Sequence, residues 1–249
     1  MSKFYVFDFD GVVCDSTYEC LVCSSNAMQK FHGDSNYKHY LSEFPDELIQ
    51  SFSSLRSFVK GGSQYYTLYK ILNSEMNIGK VTQKVFDESH KTFLIESETY
   101  KPLFYQARKE LQEFDFSNWL GLHTVYEWVI DFLREQLIQD RLMIATLKDK
   151  DSVLKILKYY DLEINPSLVI DQFEIKTKLQ ALNRIIESKK VPKEQIIFID
   201  DNIAHLLEPK NAGFNCFLAS WCSVSESTIR LANEQNIDIL EDLKRFTNK

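Results

Sequence analysis

The chain has 249 residues, 44% of them hydrophobic, enough to bury one large core or a core with a smaller module. Its formal charge of -7, with no run of Lys and Arg, disfavours nucleic acid as a partner, because phosphate backbones are held through clustered positive charge. No stretch approaches the roughly 18–20 apolar residues that span a bilayer, so no membrane partner is expected and a small ligand is.

In chain order, the first element is an apolar, β-branched and aromatic run at residues 3–8 that ends in Asp8 and Asp10, followed by Gly11. A run broken by carboxylates does not read as a signal peptide, and a cytoplasmic location is expected. About 130 residues separate this strand from the next, RLMIAT at 141–146, against the ~30 of a whole βαβ unit. An insertion is therefore expected at about 17–118. Its apolar residues recur at helical spacing, at Leu48, Phe52, Leu55 and Val59, at Val81, Val85 and Phe93, then at Leu103, Ala107, Leu111 and Phe114. A further helix, with Val125, Val129, Phe132 and Leu133 on one face, returns the chain to the sheet from about 119. Strands follow at 167–170, 196–200 and 214–218, separated by helical patterns. The alternation predicts an α/β fold, a doubly wound, mostly parallel sheet in residues 1–16 and 119–249 with an all-helical module in 17–118. Five cysteines, odd in number and irregular in spacing, predict free thiols; the pair Cys20 and Cys23 lacks the partners that a structural zinc site needs.

In such a sheet, ligands bind where the carboxyl ends of the strands meet the loops. The unusual polar residues fall there: Asp8 and Asp10 after the first strand, Thr146 after the second, and Asp200, Asp201 and Asn202 after the fourth. Clustered carboxylates repel one another unless a cation neutralises them, and hard oxygen donors select Mg²⁺ over softer metals. Lys178 precedes Ala181, Leu182, Ile185 and Ile186 by three, four, seven and eight residues, so it shares their inward face, whereas Lys176 is out of phase. Two positioned carboxylates, a hydroxyl, an ammonium and a hard-metal site are what phosphoryl transfer requires. Taken alone, an Asp-x-Asp-Gly is also what a strand-end turn uses; its weight comes from the three elements that accompany it.

Those elements resemble the haloacid dehalogenase superfamily. DFDGVVCDS is similar to its first motif, RLMIAT to its second, Lys178 to its third and IIFIDDN to its fourth, in the family's order over residues 3–202, with the helical insertion where that family carries its first-position cap. Val12 stands where many relatives have Thr. The resemblance implies that Asp8 is a nucleophile and Asp10 the acid/base, and that Thr146 and Lys178 bind phosphoryl oxygens. It also implies that Asp8, the main-chain carbonyl of Asp10, and Asp201 assisted by Asp200 hold Mg²⁺. Relatives that cleave carbon–halogen or carbon–phosphorus bonds lack the second aspartate, so Asp10 points to phosphate esters.

The expected activity is that of a Mg²⁺-dependent phosphatase acting on a small phosphorylated metabolite such as a sugar or polyol phosphate, through an aspartyl-phosphate on Asp8. A phosphomutase on the same scaffold and a non-catalytic module are the alternatives. Arg56, Lys60, Leu147 and Asn202 complete the expected substrate-binding set, Arg56 and Lys60 being read as one turn apart on a helix that Gly61 and Gly62 break. The helical module is expected to close over the site, and the protein to act as a monomer or weak dimer.

Overall fold

The computed structural model describes residues 3–222 and 224–247. The chain divides into two compact units, one holding the chain up to Asp15 and again from Thr124, the other Ser16–His123.

The first unit is built on β1 (Phe4–Phe7), β2 (Cys14–Asp15), β3 (Thr124–Val125), β4 (Leu142–Ala145), β5 (Val169–Ile170), β6 (Ile196–Asp200), β7 (Asn215–Ala219) and β8 (Asp238–Leu240). Six of them form a parallel sheet in the order β5-β4-β1-β6-β7-β8. Renumbered along the sheet this is the 3-2-1-4-5-6 arrangement, whose strand order reverses between β1 and β6, leaving a crevice there. The strand β8, only three residues with one exposed and one half-buried, carries no apolar run and was not expected from the sequence.

The elements outside the second unit continue with α7 (Glu127–Ile138), α8 (Lys150–Tyr159), α9 (Lys178–Lys189), α10 (Ile203–Asn211), α11 (Glu226–Glu234) and α12 (Lys244–Thr247). They follow α1 to α6 of the other unit in chain order. Side chains alternate across the sheet. Phe4, Val6, Ile196 and Phe198 share a buried cluster with Ala181, Leu182 and Ile185 of α9 and Leu206 of α10. On the other face Tyr5 meets Phe132 of α7 edge-on at 5.0 Å and Phe246 of α12 at 5.6 Å. Both faces are thus covered, which is why the strands read as continuous apolar runs.

The insertion leaves and re-enters through a short antiparallel ribbon, with Cys14 opposite Val125 and Asp15 opposite Thr124. The residues expected to open the return, from about 119, fall in a helix of the second unit. That unit consists of α1 (Thr17–His32), α2 (Asp46–Arg56), α3 (Gln64–Leu72), α4 (Gln83–Thr92), α5 (Leu94–Phe114) and α6 (Phe116–Gly121). Two differences from the expected periodicity stand out. The helix α2 stops at Arg56, so Val59 and Lys60 lie in the following loop. Phe114, placed on the inward face by spacing, is 57% exposed and stacks on His39, because Tyr100, Phe104, Ala107 and Leu111 form the buried stripe of α5. Among the described residues no helix is long and apolar enough to cross a membrane.

Inside this unit Glu19 of α1 and Arg108 of α5 form a buried ion pair, Nε to Oε1 at 2.6 Å and Nη2 to Oε2 at 3.1 Å, and Cys23 Sγ donates to the same carboxylate. Two opposed charges taken out of water hold each other; one left alone carries its full desolvation cost. Arg108→Met is therefore expected to lower unfolding free energy by about 3–5 kcal/mol. Adding Glu19→Gln should recover part of that loss, as read by urea denaturation of the two variants.

Candidate active site

The carboxyl ends of β4, β1 and β6, three adjacent strands, deliver the polar residues to one place. The segment after β1 turns sharply: the amides of Val13 and Cys14 donate to the Phe9 carbonyl at 2.9 and 3.0 Å, and Gly11 donates to Cys14 O at 2.8 Å. Gly11 has φ +80°, a left-handed conformation that a side chain resists, and a Cβ there would overlap the Asp201 carboxylate. Glycine is required at that step so that the loops after β1 and β6 can approach each other.

Asp8 is 6% exposed. Its Oδ1 accepts the Phe9 amide at 2.7 Å and lies 2.8 Å from Lys178 Nζ. Among the described residues only this oxygen of Asp8 is engaged. Lys178 is the first residue of α9, which Thr177 caps by accepting the Gln180 amide. Its ammonium also donates to Ala145 O at 2.7 Å and sits 3.1 Å from Asp200 Oδ2. Lys178, in phase with the buried Ala181, Leu182 and Ile185, is buried, while Lys176, before the N-cap, is exposed.

Asp200, fully buried, receives the Asn202 amide on Oδ1 at 2.8 Å and faces His205 Nδ1 at 3.2 Å. Its Oδ2 has the Lys178 charge nearby but off the line of a hydrogen bond. Asn202 caps α10, its side chain accepting the Ala204 amide at 3.0 Å. Thr146 is 1% exposed, and its hydroxyl accepts the Lys148 amide at 3.1 Å. Asp10, more open, has its Oδ1 3.3 Å from the buried Lys148 ammonium. Leu147, between these two, is half-buried and brings no side-chain polar group.

Electrostatics separate the two buried aspartates. Burial, and then the charge of Asp200, push the Asp8 carboxyl up to about 6 despite the opposing pull of Lys178. Burial acts on Asp200 in the same direction, but Lys178, His205 and the Asn202 amide outweigh it and hold that carboxyl well below the usual range. The ionised form is therefore favoured more strongly at Asp200 than at Asp8.

A divalent cation fits this arrangement. Ligand atoms of Asp8, Asp200 and His205 lie within 4.8 Å of one another, Asp200 Oδ2 is a buried acceptor without a hydrogen bond, and Asp201 reaches the same turn over Gly11. The donors are mainly carboxylate oxygens, the set that suits Mg²⁺.

Two members of the cluster escape the sequence reading. Lys148 stands two residues past Thr146, and a lysine in a strand-end loop was the available signal. His205, in the first turn of α10, has no signal beyond its proximity to Asp200 and Asp201. Arg56 and Lys60 belong to the other unit and do not share a helix, since α2 ends at Arg56. Lys60 is tied to Asp87 of α4 at 2.7 Å, and Arg56 donates to the Val59 carbonyl.

No protein-family model matches the chain, and no curated protein matches it. Solved structures do. A provisionally named haloacid dehalogenase-like hydrolase from Bacteroides fragilis aligns over 98% of this chain and 99% of its own, with a TM-score of 0.63 at 13% identity. The chain has the haloacid dehalogenase-like fold. A predicted phosphoglycolate phosphatase from Haemophilus somnus shares this fold over 99% of this chain and 98% of its own, at TM-score 0.62 and 16% identity. A haloacid dehalogenase-like family hydrolase from Streptococcus pneumoniae does so over 96% and 92%, at TM-score 0.57 and 14% identity. In this haloacid dehalogenase-like core the Asp8 cluster lies at the crevice where the strand order reverses.

The raised Asp8 value has a stability consequence. Well below pH 4 the carboxyl is neutral in folded and unfolded chains alike; as pH rises through the unfolded and then the folded value the unfolded chain ionises first, so the folded state loses stability. Asp8→Asn removes that cost. With chelator present it should be more stable than the wild type by about 1–3 kcal/mol at pH 8, and the gain should fade as pH falls well below the unfolded carboxyl's range near 4, measured by denaturant titration at each pH.

Proposed function

We propose that the protein is a Mg²⁺-dependent phosphatase in which Asp8 is the nucleophile. The observation that carries this reading is the division of labour on the Asp8 carboxylate. Oδ1 is anchored by the Phe9 amide and Lys178, while Oδ2 is left to attack. Attack on the phosphate ester forms an Oδ2–P bond as the bond to the leaving oxygen breaks, and Asp10 gives its proton to that oxygen. Asp10 then takes a proton from water; the hydroxide attacks phosphorus, the aspartyl-phosphate bond breaks and inorganic phosphate leaves. Lys148 holds Asp10 in place for both transfers, and Lys178 with Thr146 receives the phosphoryl oxygens. Asp8, the Asp10 carbonyl, Asp201 and Asp200 would hold the Mg²⁺, which when bound neutralises charge that develops on the transferring phosphoryl group. Because Asp8 and Asp10 both occur, a phosphate ester rather than a carbon–halogen bond is the substrate.

A small phosphorylated metabolite, of sugar or polyol type, is the substrate class, and the cytoplasm the location that five free thiols favour. Structurally similar proteins are named phosphoglycolate phosphatases, so 2-phosphoglycolate belongs on the substrate panel. Phosphate release from sugar, polyol, nucleotide and 2-carbon acid phosphates should depend on added Mg²⁺, stop with chelator, and fall at least ~10³-fold in Asp8→Asn. Undiminished release by that variant would refute the covalent route. Gly11→Ala should cost at least ~100-fold in kcat while circular dichroism stays unchanged, because it moves Asp201 and the turn without touching the nucleophile.

A further inference from the structure

Away from the Asp8 cluster, a cavity of about 440 Å³ opens between α7, the segment that follows β7, and α12. Trp128 and Trp221 stand nearly perpendicular in its wall, ring centroids 4.9 Å apart and planes at 77°. The orientation of Trp221 is fixed, since its indole nitrogen donates to the Val12 carbonyl at 3.0 Å. Trp128 remains 39% exposed, and the buried Phe132 lines the same cavity.

The rim is acidic. Asp131 and Glu135 project from the same face of α7 as Trp128, and Glu241 and Asp242 approach from the segment before α12, against a single lining lysine, Lys244. Asp131 is paired with Arg134 and Asp242 with Lys244. Among the described residues Glu135 and Glu241 have no ion-pair partner. The carboxylates do not converge as a metal site does: the one group of three metal-ligating side chains found among the described residues is Asp8, Asp200 and His205. An anion would meet repulsion here, and a neutral apolar ligand would leave the rim charges without effect. Aromatic faces carry negative potential and attract alkylated ammonium groups, most strongly in tryptophan. We propose that this cavity binds a small organic cation, a quaternary ammonium compound, with its methyl groups against Trp128 and Trp221 and its charge facing Glu135 and Glu241. None of these residues belongs to the Asp8 cluster, so the inference stands or falls apart from the phosphatase reading.

The chain has three tryptophans, so ¹⁵N labelling gives three indole N–H signals that single Trp→Phe variants assign. Choline chloride at constant ionic strength should shift the Trp128 and Trp221 signals saturably and leave Trp119 unmoved. The neutral isostere 3,3-dimethylbutan-1-ol should need at least ~10-fold higher concentration for the same shift. Glu135→Gln with Glu241→Gln should weaken choline about tenfold and leave the alcohol unchanged. No saturable shift with choline, or equal binding of the alcohol by the wild type, would overturn the proposal, and both readings need no variant that could misfold.

Discussion

A single ammonium makes the polar end of this sheet tenable. Lys178 stands between Asp8 and Asp200, 2.8 and 3.1 Å from their oxygens, with all three side chains out of solvent. Two buried carboxylates at that separation repel each other strongly in a medium that screens poorly. The ammonium makes the pair affordable, and its third contact, to the Ala145 carbonyl, ties α9 to the end of β4. Removing the cation from this point would leave two like charges buried, with the His205 imidazole 3.2 Å from Asp200.

The same lysine creates the asymmetry that chemistry needs. Asp200 also receives a backbone amide and an imidazole, so it stays ionised, whereas Asp8 carries the cost of burial beside a neighbouring anion. A carboxylate kept at higher free energy is a better candidate for attack than one that is fully satisfied. Gly11 extends this logic to the backbone, since only a residue without Cβ lets Asp201 come over the turn. The close approach of two loops is thus a constraint written as an absence of atoms.

Much of this was legible in one dimension. The β-rich runs and their order follow from local composition, because buried parallel strands must be apolar on both faces. The choice of Lys178 over Lys176 follows from helical phase, which is a local property: the residue in step with Ala181, Leu182 and Ile185 is the buried one. Where the periodic signal was short it misled. Val59 continues the spacing of α2 past its end, and Phe114 continues that of α5 onto an exposed position, since spacing alone does not say where a helix stops or which of two apolar stripes is buried. Three-residue β8 offered too little pattern to register.

What the sequence by itself determined is the α/β alternation, the helical character of the insertion, and the polar residues at three strand ends, carboxylates at two of them and the Thr146 hydroxyl at the third. What only the tertiary structure decided is which charges meet: Lys148 with Asp10, His205 with Asp200, Lys60 with Asp87, Glu19 with Arg108, and Asp201 with the bare backbone of Gly11. The reason is range. Periodicity reports neighbours within a turn or a strand, while these contacts join residues that the chain path brings together from different elements, and their partners are chosen by the register of the sheet and the packing of helices upon it.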